Sequence, residues 1–331
     1  MFKTLLYLGL LLALATSAMG QASYELTQKG FVAVEVPEPG TAEADLADAR
    51  RMIAQGESKK AEKVLSRWIK QNKQHPLLVE ALLLRGDARL TAGLFYKSLY
   101  DYEQIATFYP ATEQFNVALR REFEVATRYT QGVKRKLWGH RWMPAGDDGA
   151  ELLIRIQERV PGSALGEKAS KALAEFYYTD GQMDLAAEAY DLFLVNYPQS
   201  ELRSLALLRG IQASLARFKG PEFDATGLID AQERLRQFEL EFPAAAERVG
   251  AAGLRIRVRE SLARRDFSSA AWYDRTGEGV SAAVLYRRLL TEYADTEAAA
   301  DAAQRLQEMG ESVVAAQPVA APTQPTQSVK P

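Results

Sequence analysis

The sequence predicts an all-α protein of tandem helical hairpins, and three observations lead there. Alanine, leucine, glutamate and arginine dominate while β-branched residues are sparse, a mixture that favours helix. A glycine followed five residues later by a small residue recurs at Gly56/Ala61, Gly93/Ser98, Gly181/Ala186 and Gly277/Ala282. Twelve residues beyond the small position a proline recurs: Ser98 to Pro110, Gly149 to Pro161, Ala186 to Pro198 and Ala231 to Pro243.

Each position has a physical role. The glycine permits the tight turn between antiparallel helices, and the small residue lets those helices approach closely. Proline just past a helix end blocks its continuation. In the last unit Ala294 stands in the proline place, within Tyr293-Ala294-Asp295-Thr296. The fourth unit shows the pattern best, with Ala174, Tyr177, Gly181, Ala186, Tyr190, Phe193 and Pro198; the second gives Gly86, Gly93, Ser98, Tyr102, Ile105 and Pro110. These are the small, aromatic and proline positions of the 34-residue tetratricopeptide repeat. Six units start near residues 43, 80, 115, 167, 203 and 263, and a closing helix from about Glu297 to Met309 completes a solenoid over 43–309. The first unit departs, because Pro76 falls three residues late. Stacked hairpins of this kind form a right-handed superhelix whose concave groove is lined by the first helix of each unit. The phased rings Tyr102, Tyr177, Tyr190, Phe193, Tyr273 and Tyr286 are expected to form the packing core.

The ends differ in character. Lys3 precedes an uncharged run of 11 residues, Leu5 to Ala15, and Ala18-Met19-Gly20 fits the small-x-small pattern of signal cleavage. Residues 1–20 are therefore expected to be a signal peptide; an uncleaved anchor is the alternative, although the run falls short of the ~20 residues that span a bilayer. Residues 21–42 read as a polar, irregular linker, ending in the helix-breaking Val36-Pro37-Glu38-Pro39-Gly40. The tail, 310–331, carries four prolines and no aromatic residue and reads as disordered. The expected location is extracytoplasmic.

Composition removes several function classes. The 41 basic and 43 acidic residues leave a formal charge of −2, so no global field points to nucleic acid. Cysteine is absent, which removes thiolate chemistry, disulfides and a lipidated cysteine from these 331 residues. The histidines, His75 and His140, lie far apart, and no G-x-S-x-G, Walker A or G-x-G-x-x-G sequence occurs. Asp147 and Asp148, between Gly146 and Gly149, suit a helix N-cap better than a Ca²⁺ loop. The sequence is thus read as a non-enzyme with no cofactor and no metal.

Two hairpins carry insertions, which must leave the stack as surface loops. Nine extra residues fall in the fifth unit, within Phe218 to Asp224, and twelve in the third, around Lys134 to Pro144. The latter insertion holds Arg135, Trp138, Arg141 and Trp142 without an acid. Either it grips an anionic surface such as lipid, peptidoglycan or an acidic partner, or its rings fold back onto neighbouring hairpins while its cations face water. A second candidate surface is the stripe Lys168, Lys171, Glu175 and Tyr178 on the fourth unit's first helix, expected to line the groove. A third is the arginine-rich helix opening the last unit, where Arg255 and Arg259, one turn apart, could meet an acidic partner.

Two stretches go beyond a generic repeat. The segment Ser261-Leu262-Ala263-Arg264-Arg265-Asp266-Phe267-Ser268-Ser269-Ala270, followed by Trp272-Tyr273-Asp274-Arg275, resembles the last repeat of BamD-type outer-membrane assembly proteins. Tyr286-Arg287-Arg288-Leu289-Leu290-Thr291-Glu292-Tyr293-Ala294-Asp295-Thr296 resembles that family's closing hairpin, and the fifth-unit insertion sits where its members lengthen a loop. The resemblance spans roughly 43–309 and implies a periplasmic scaffold of the machinery that inserts β-barrel proteins. It implies two protein partners: a barrel insertase docked at the C-terminal repeats, including the 254–265 helix, and unfolded barrel substrates engaged by the N-terminal repeats. Members of that family carry a lipidated cysteine, which this sequence lacks, so any membrane contact is expected to be indirect. The alternative is another envelope repeat adaptor, for instance one coordinating peptidoglycan synthesis or constriction; its usual N-terminal coiled coil has no counterpart in 21–42.

Overall fold

The glycine–small–proline phasing is realised as helical hairpins in a computed structural model, which describes residues 23–27, 30–34, 37–137 and 140–313. The expected leader and the tail beyond residue 313 lie outside the described residues. Fourteen helices are present among those described. They are α1 Ala42–Ala54, α2 Ser58–Gln71, α3 Leu78–Thr91, α4 Phe95–Phe108, α5 Glu113–Thr130, α6 Gly146–Arg159 and α7 Ala164–Thr179. There follow α8 Met183–Asn196, α9 Arg203–Arg217, α10 Thr226–Glu241, α11 Pro243–Arg248, α12 Ala251–Arg275, α13 Gly279–Glu292 and α14 Glu297–Glu308. The hairpins are α1/α2, α3/α4, α5/α6, α7/α8, α9/α10 and α12/α13, with α14 closing the array.

The chain divides into two units, one of residues 1–125 with 135–143 and one of 126–134 with 144–331. Within each, the repeat signals do what their chemistry suggests. Gly56, Gly93, Gly181 and Gly277 take φ of 79°, 69°, 80° and 86°, the left-handed region that lets one helix reverse into the next. The small residues behind them, Ala61, Ser98, Ala186 and Ala282, are fully buried where paired helices touch. Helices α4, α6, α8 and α10 each stop two residues short of a proline, and Pro243 then takes the first turn of α11, where it lacks no needed donor. Side-chain caps start three helices: Thr41, Ser163 and Thr296 accept from the backbone N–H of Ala44, Gly166 and Ala299 at 3.2, 3.0 and 3.2 Å.

The phased rings form the core. Tyr102 and Tyr286 are fully buried, Phe193 and Tyr190 nearly so, and Tyr177 and Tyr273 are half-buried. In the first unit, Leu46, Leu65, Trp68 and Leu84 pack in one cluster and Leu78, Leu82, Tyr102 and Ile105 in the next. Buried Asp101 on α4 accepts from Arg85 Nη2 at 2.6 Å and Arg89 Nη1 at 2.8 Å, both on α3. Burial pushes its carboxyl above the ordinary value, while the two guanidiniums pull it back.

Four features differ from the sequence reading. Residues 21–42 are not irregular throughout: β1 Ser23–Thr27 and β2 Gly30–Val34 pair antiparallel, with Leu26 opposite Phe31. The β-forming Tyr24, Phe31, Val32 and Val34 flank a short polar turn, a hairpin signal that the flanking prolines obscured. The third-unit insertion is likewise a hairpin, β3 Arg135–Leu137 with β4 His140–Met143, bulged between Arg135 and Lys136. Asp147 and Asp148 lie inside the first turn of α6, and Ala145 holds the N-cap position without a side-chain bond, so the aspartates favour the helix dipole instead. Lastly, α12 starts at Ala251 and runs 25 residues. No helix among the described residues is long and apolar enough to cross a membrane.

Candidate functional site

On α7 the buried side is Ala169, Leu173, Ala174 and Phe176, so the polar residues between them face outward. Lys171 and Glu175, one turn apart, form an ion pair at 3.3 Å. Tyr178 continues the stripe; its hydroxyl donates to Gln212 Oε1 on α9 at 3.2 Å, in the next repeat. Arg209 Nη1 donates to the same oxygen at 3.0 Å, and its guanidinium carbon lies 4.8 Å from the centre of the Tyr178 ring. Lys171, Glu175 and Tyr178 are thus brought together, whereas Lys168 is exposed at the N-terminal end of the stripe.

Glu175, Tyr178 and Arg209, though not Lys171, line a cleft of about 250 Å³ between α5, α7, α8 and α9, together with Thr130, Gln131, Thr179 and Tyr190. Three first helices of consecutive repeats therefore contribute. Tyr190 is 3% exposed, and its hydroxyl has no hydrogen-bond partner among the described residues. Burial, and then the Glu175 charge, raise the pKa of that hydroxyl above its ordinary value, while Arg209 lowers it. The cleft is smaller than the 300–1,000 Å³ of typical cofactor pockets. It can hold a few polar atoms of a polypeptide by hydrogen bonds.

The sequence reading named the α7 stripe and missed Arg209, Gln212 and the Tyr190 hydroxyl. Gln212 and Arg209 lie in the next repeat, two to five residues off the position equivalent to Tyr178, so no single-unit spacing points to them; Tyr190 was hidden because its ring reads as core.

The other two candidate surfaces have their own partners. Arg255 pairs with Glu239 at 3.4 Å. Arg259 pairs with Asp295 at 2.8 Å, donates to the Glu292 carbonyl at 2.5 Å and stacks 5.2 Å from the Tyr293 ring. Arg259 thus ties α12 to the turn after α13 and holds the last hairpin together, while Arg255 ties α12 to α10. In the third-unit hairpin, Arg135 lies 5.0 Å from the Tyr96 ring and donates to Met143 Sδ at 2.9 Å, and Trp142 is exposed. The side chains of Trp138 and Arg141 lie outside the described residues. A further open cleft, about 490 Å³, separates the fifth-unit insertion at Phe223 from Arg265, Trp272 and Tyr273 on α12. Among the described residues no group of three or more histidines and acids is placed to hold a metal.

The family model for YfiO, an outer membrane lipoprotein, matches residues 146–321, just over half of the chain. The chain belongs to the YfiO family. The match starts at the first residue of α6 and so takes in the α7, α8 and α9 walls of the cleft. A crystal structure of kinesin light chain TPR-like repeats from Podosopora anserina aligns with 60% of this chain and 93% of its own, at 17% identity and a TM-score of 0.33. No curated protein matches the chain. Although the family is described as a lipoprotein, none of these 331 residues is a cysteine that could carry the lipid.

Proposed function

We propose that the chain is a cell-envelope scaffold serving the assembly of β-barrel proteins into the outer membrane. It would act by holding polypeptide against its repeats and by docking a barrel insertase. The observation that carries this reading is the cleft across α5, α7 and α9, lined by both polar and apolar surface, in a YfiO-family repeat array. Arg209, Gln131 and Glu175 in its lining offer donors and acceptors to backbone N–H and C=O groups. Membership of an outer membrane protein family supports an envelope location, with membrane contact through partners. The reading assigns binding and no catalysis.

The test is mild crosslinking of the full chain in its native envelope, followed by identification of what co-purifies. Recovery of a barrel insertase together with unfolded barrel proteins is expected. Recovery of peptidoglycan synthases without an insertase would replace this reading with that of a cell-wall adaptor.

A further inference from the structure

The open cleft beside the fifth-unit insertion has two walls, each carrying an exposed aromatic ring. One wall is a single face of the second half of α12, where Arg265, Ser268, Trp272 and Arg275 recur at helical spacing. The other is the insertion itself, through Glu222 and Phe223. That loop is fixed by its own bonds: the Phe223 N–H donates to the Gly220 carbonyl at 3.1 Å, and the Thr226 N–H donates to Asp224 Oδ1 at 3.2 Å. Phe223 and Trp272 are therefore presented rather than packed away, 57% and 53% exposed on a space of about 490 Å³. That volume lies in the range of small-ligand sites. Tyr273 braces the indole edge-on, with 5.0 Å between ring centres.

The polar groups of the same lining narrow the occupant. Arg265 pairs with Asp266 at 3.0 Å. Arg275 and Glu222 make no ion pair among the described residues, and the Ser268 hydroxyl makes no hydrogen bond there. The cleft thus offers donors and acceptors with no surplus of either charge. An anion would meet Glu222, and a purely apolar group would desolvate Glu222 and Arg275 without pairing them. A sugar ring suits both halves of the lining. Its hydroxyls each donate and accept, and its C–H face complements the negative face of an aromatic ring. We propose that Trp272, Phe223, Glu222 and Arg275 form a binding site for a neutral saccharide, with one pyranose ring stacked on Trp272 and its hydroxyls bonded to Glu222 and Arg275. An acetamido sugar and an unsubstituted one present this same chemistry. The inference goes beyond the scaffold reading and does not depend on it.

The experiment uses the full chain and isothermal titration calorimetry, with saturation-transfer NMR to show which probe protons touch the protein. Three probes are titrated: triacetylchitotriose, cellotriose and the peptide acetyl-Gly-Glu-Val-Phe-amide. Saturable binding of triacetylchitotriose alone identifies an acetamido sugar, and binding of cellotriose alone identifies an unsubstituted one. Binding of both identifies the ring itself, and each of these supports the site when the variants weaken it. Trp272→Ala should weaken the bound trisaccharide on the order of tenfold or more, as expected for loss of an aromatic platform. Phe223→Ala and Glu222→Ala should each weaken it several-fold. All three side chains are exposed, so the melting temperature should stay that of the wild type, which separates a binding role from a structural one. Three results overturn the proposal: no trisaccharide binds, the variants bind as the wild type does, or the peptide alone binds. The last would make the cleft a protein-docking surface. Soluble trisaccharides report on this cleft and envelope crosslinking reports on protein partners, so either reading can fail while the other stands.

Discussion

Replacing Gly149 by alanine adds one methyl group at the closest approach of α5 and α6. An ideal Cβ there would lie 2.8 Å from the Ala126 carbonyl oxygen, 2.9 Å from Thr130 Cγ2 and 3.0 Å from Tyr129 Cβ. Ordinary contact begins at 3.4 Å, so the carbonyl is 0.6 Å too near (3.4 − 2.8), and backbone cannot swing aside as a side chain can. The hairpin must open, at an overpacking cost of about 1–3 kcal/mol. Against this, alanine in a helix gains about 1 kcal/mol over glycine. The net expectation for Gly149→Ala is a loss of about 1 kcal/mol. Gly253 supplies the control: it lies within α12 and an added Cβ meets nothing within 4 Å, so Gly253→Ala should gain most of that ~1 kcal/mol of propensity. Urea unfolding followed by circular dichroism gives both midpoints under one protocol. Equal stabilisation by the two substitutions would refute the argument that the small position exists to let the helices touch.

Three further expectations follow from the packing. Phe193→Ala, inside the cluster of Ala174, Tyr190, Tyr197 and Ala206, should cost about 3–5 kcal/mol and be read directly from the urea midpoint. Asp101→Ala leaves Arg85, only 16% exposed, without its counter-charge, while Arg89 keeps Glu62 at 3.1 Å. A loss of about 3–5 kcal/mol is expected, and hydrogen exchange should speed up in α3 and α4 while α13 and α14 stay protected. Glu241 is held below the ordinary carboxylate range, first by the Arg203 guanidinium and then by Gln237. Because its folded value is the lower one, its contribution is present above the ordinary range and lost as the pH falls through the depressed value. Arg203→Met should therefore flatten the decline in stability between about pH 5 and about pH 3; an unchanged slope would show that the pair does not report on folding.

The hairpins were legible because their signals are local and repeated. Gly181 and Ala186 state a turn and a close contact within five residues, and the same statement recurs at Gly277 and Ala282. The β1–β2 hairpin was less legible because its alternation is short and lies against Pro37 and Pro39. Half of the site was visible: helical spacing alone places Lys171, Glu175 and Tyr178 on one side of α7. The other half was not. That Arg209 and Gln212 meet Tyr178 depends on how the next repeat stacks, and the orphaned Tyr190 oxygen depends on how deeply a ring sinks. The arginines of α12 show the converse. Their crowding suggested a free cationic face, but Asp295, Glu239 and Glu297 come from elsewhere in the chain and meet Arg259, Arg255 and Arg264.

The length of α12 has a mechanical consequence. At about 1.5 Å per residue, its 25 residues make a rod about 37 Å long. Its first half, through Val258 and Leu262, is a wall of the core that holds Leu235 and Phe238, and its second half, through Ala263 and Ala270, is a wall of the core that holds Tyr286 and Leu289. A rod shared by two cores cannot fray from one without loosening its grip on the other. Elsewhere a repeat array can open one link at a time; here the fifth and sixth links are riveted together, and a force applied at either is borne by both.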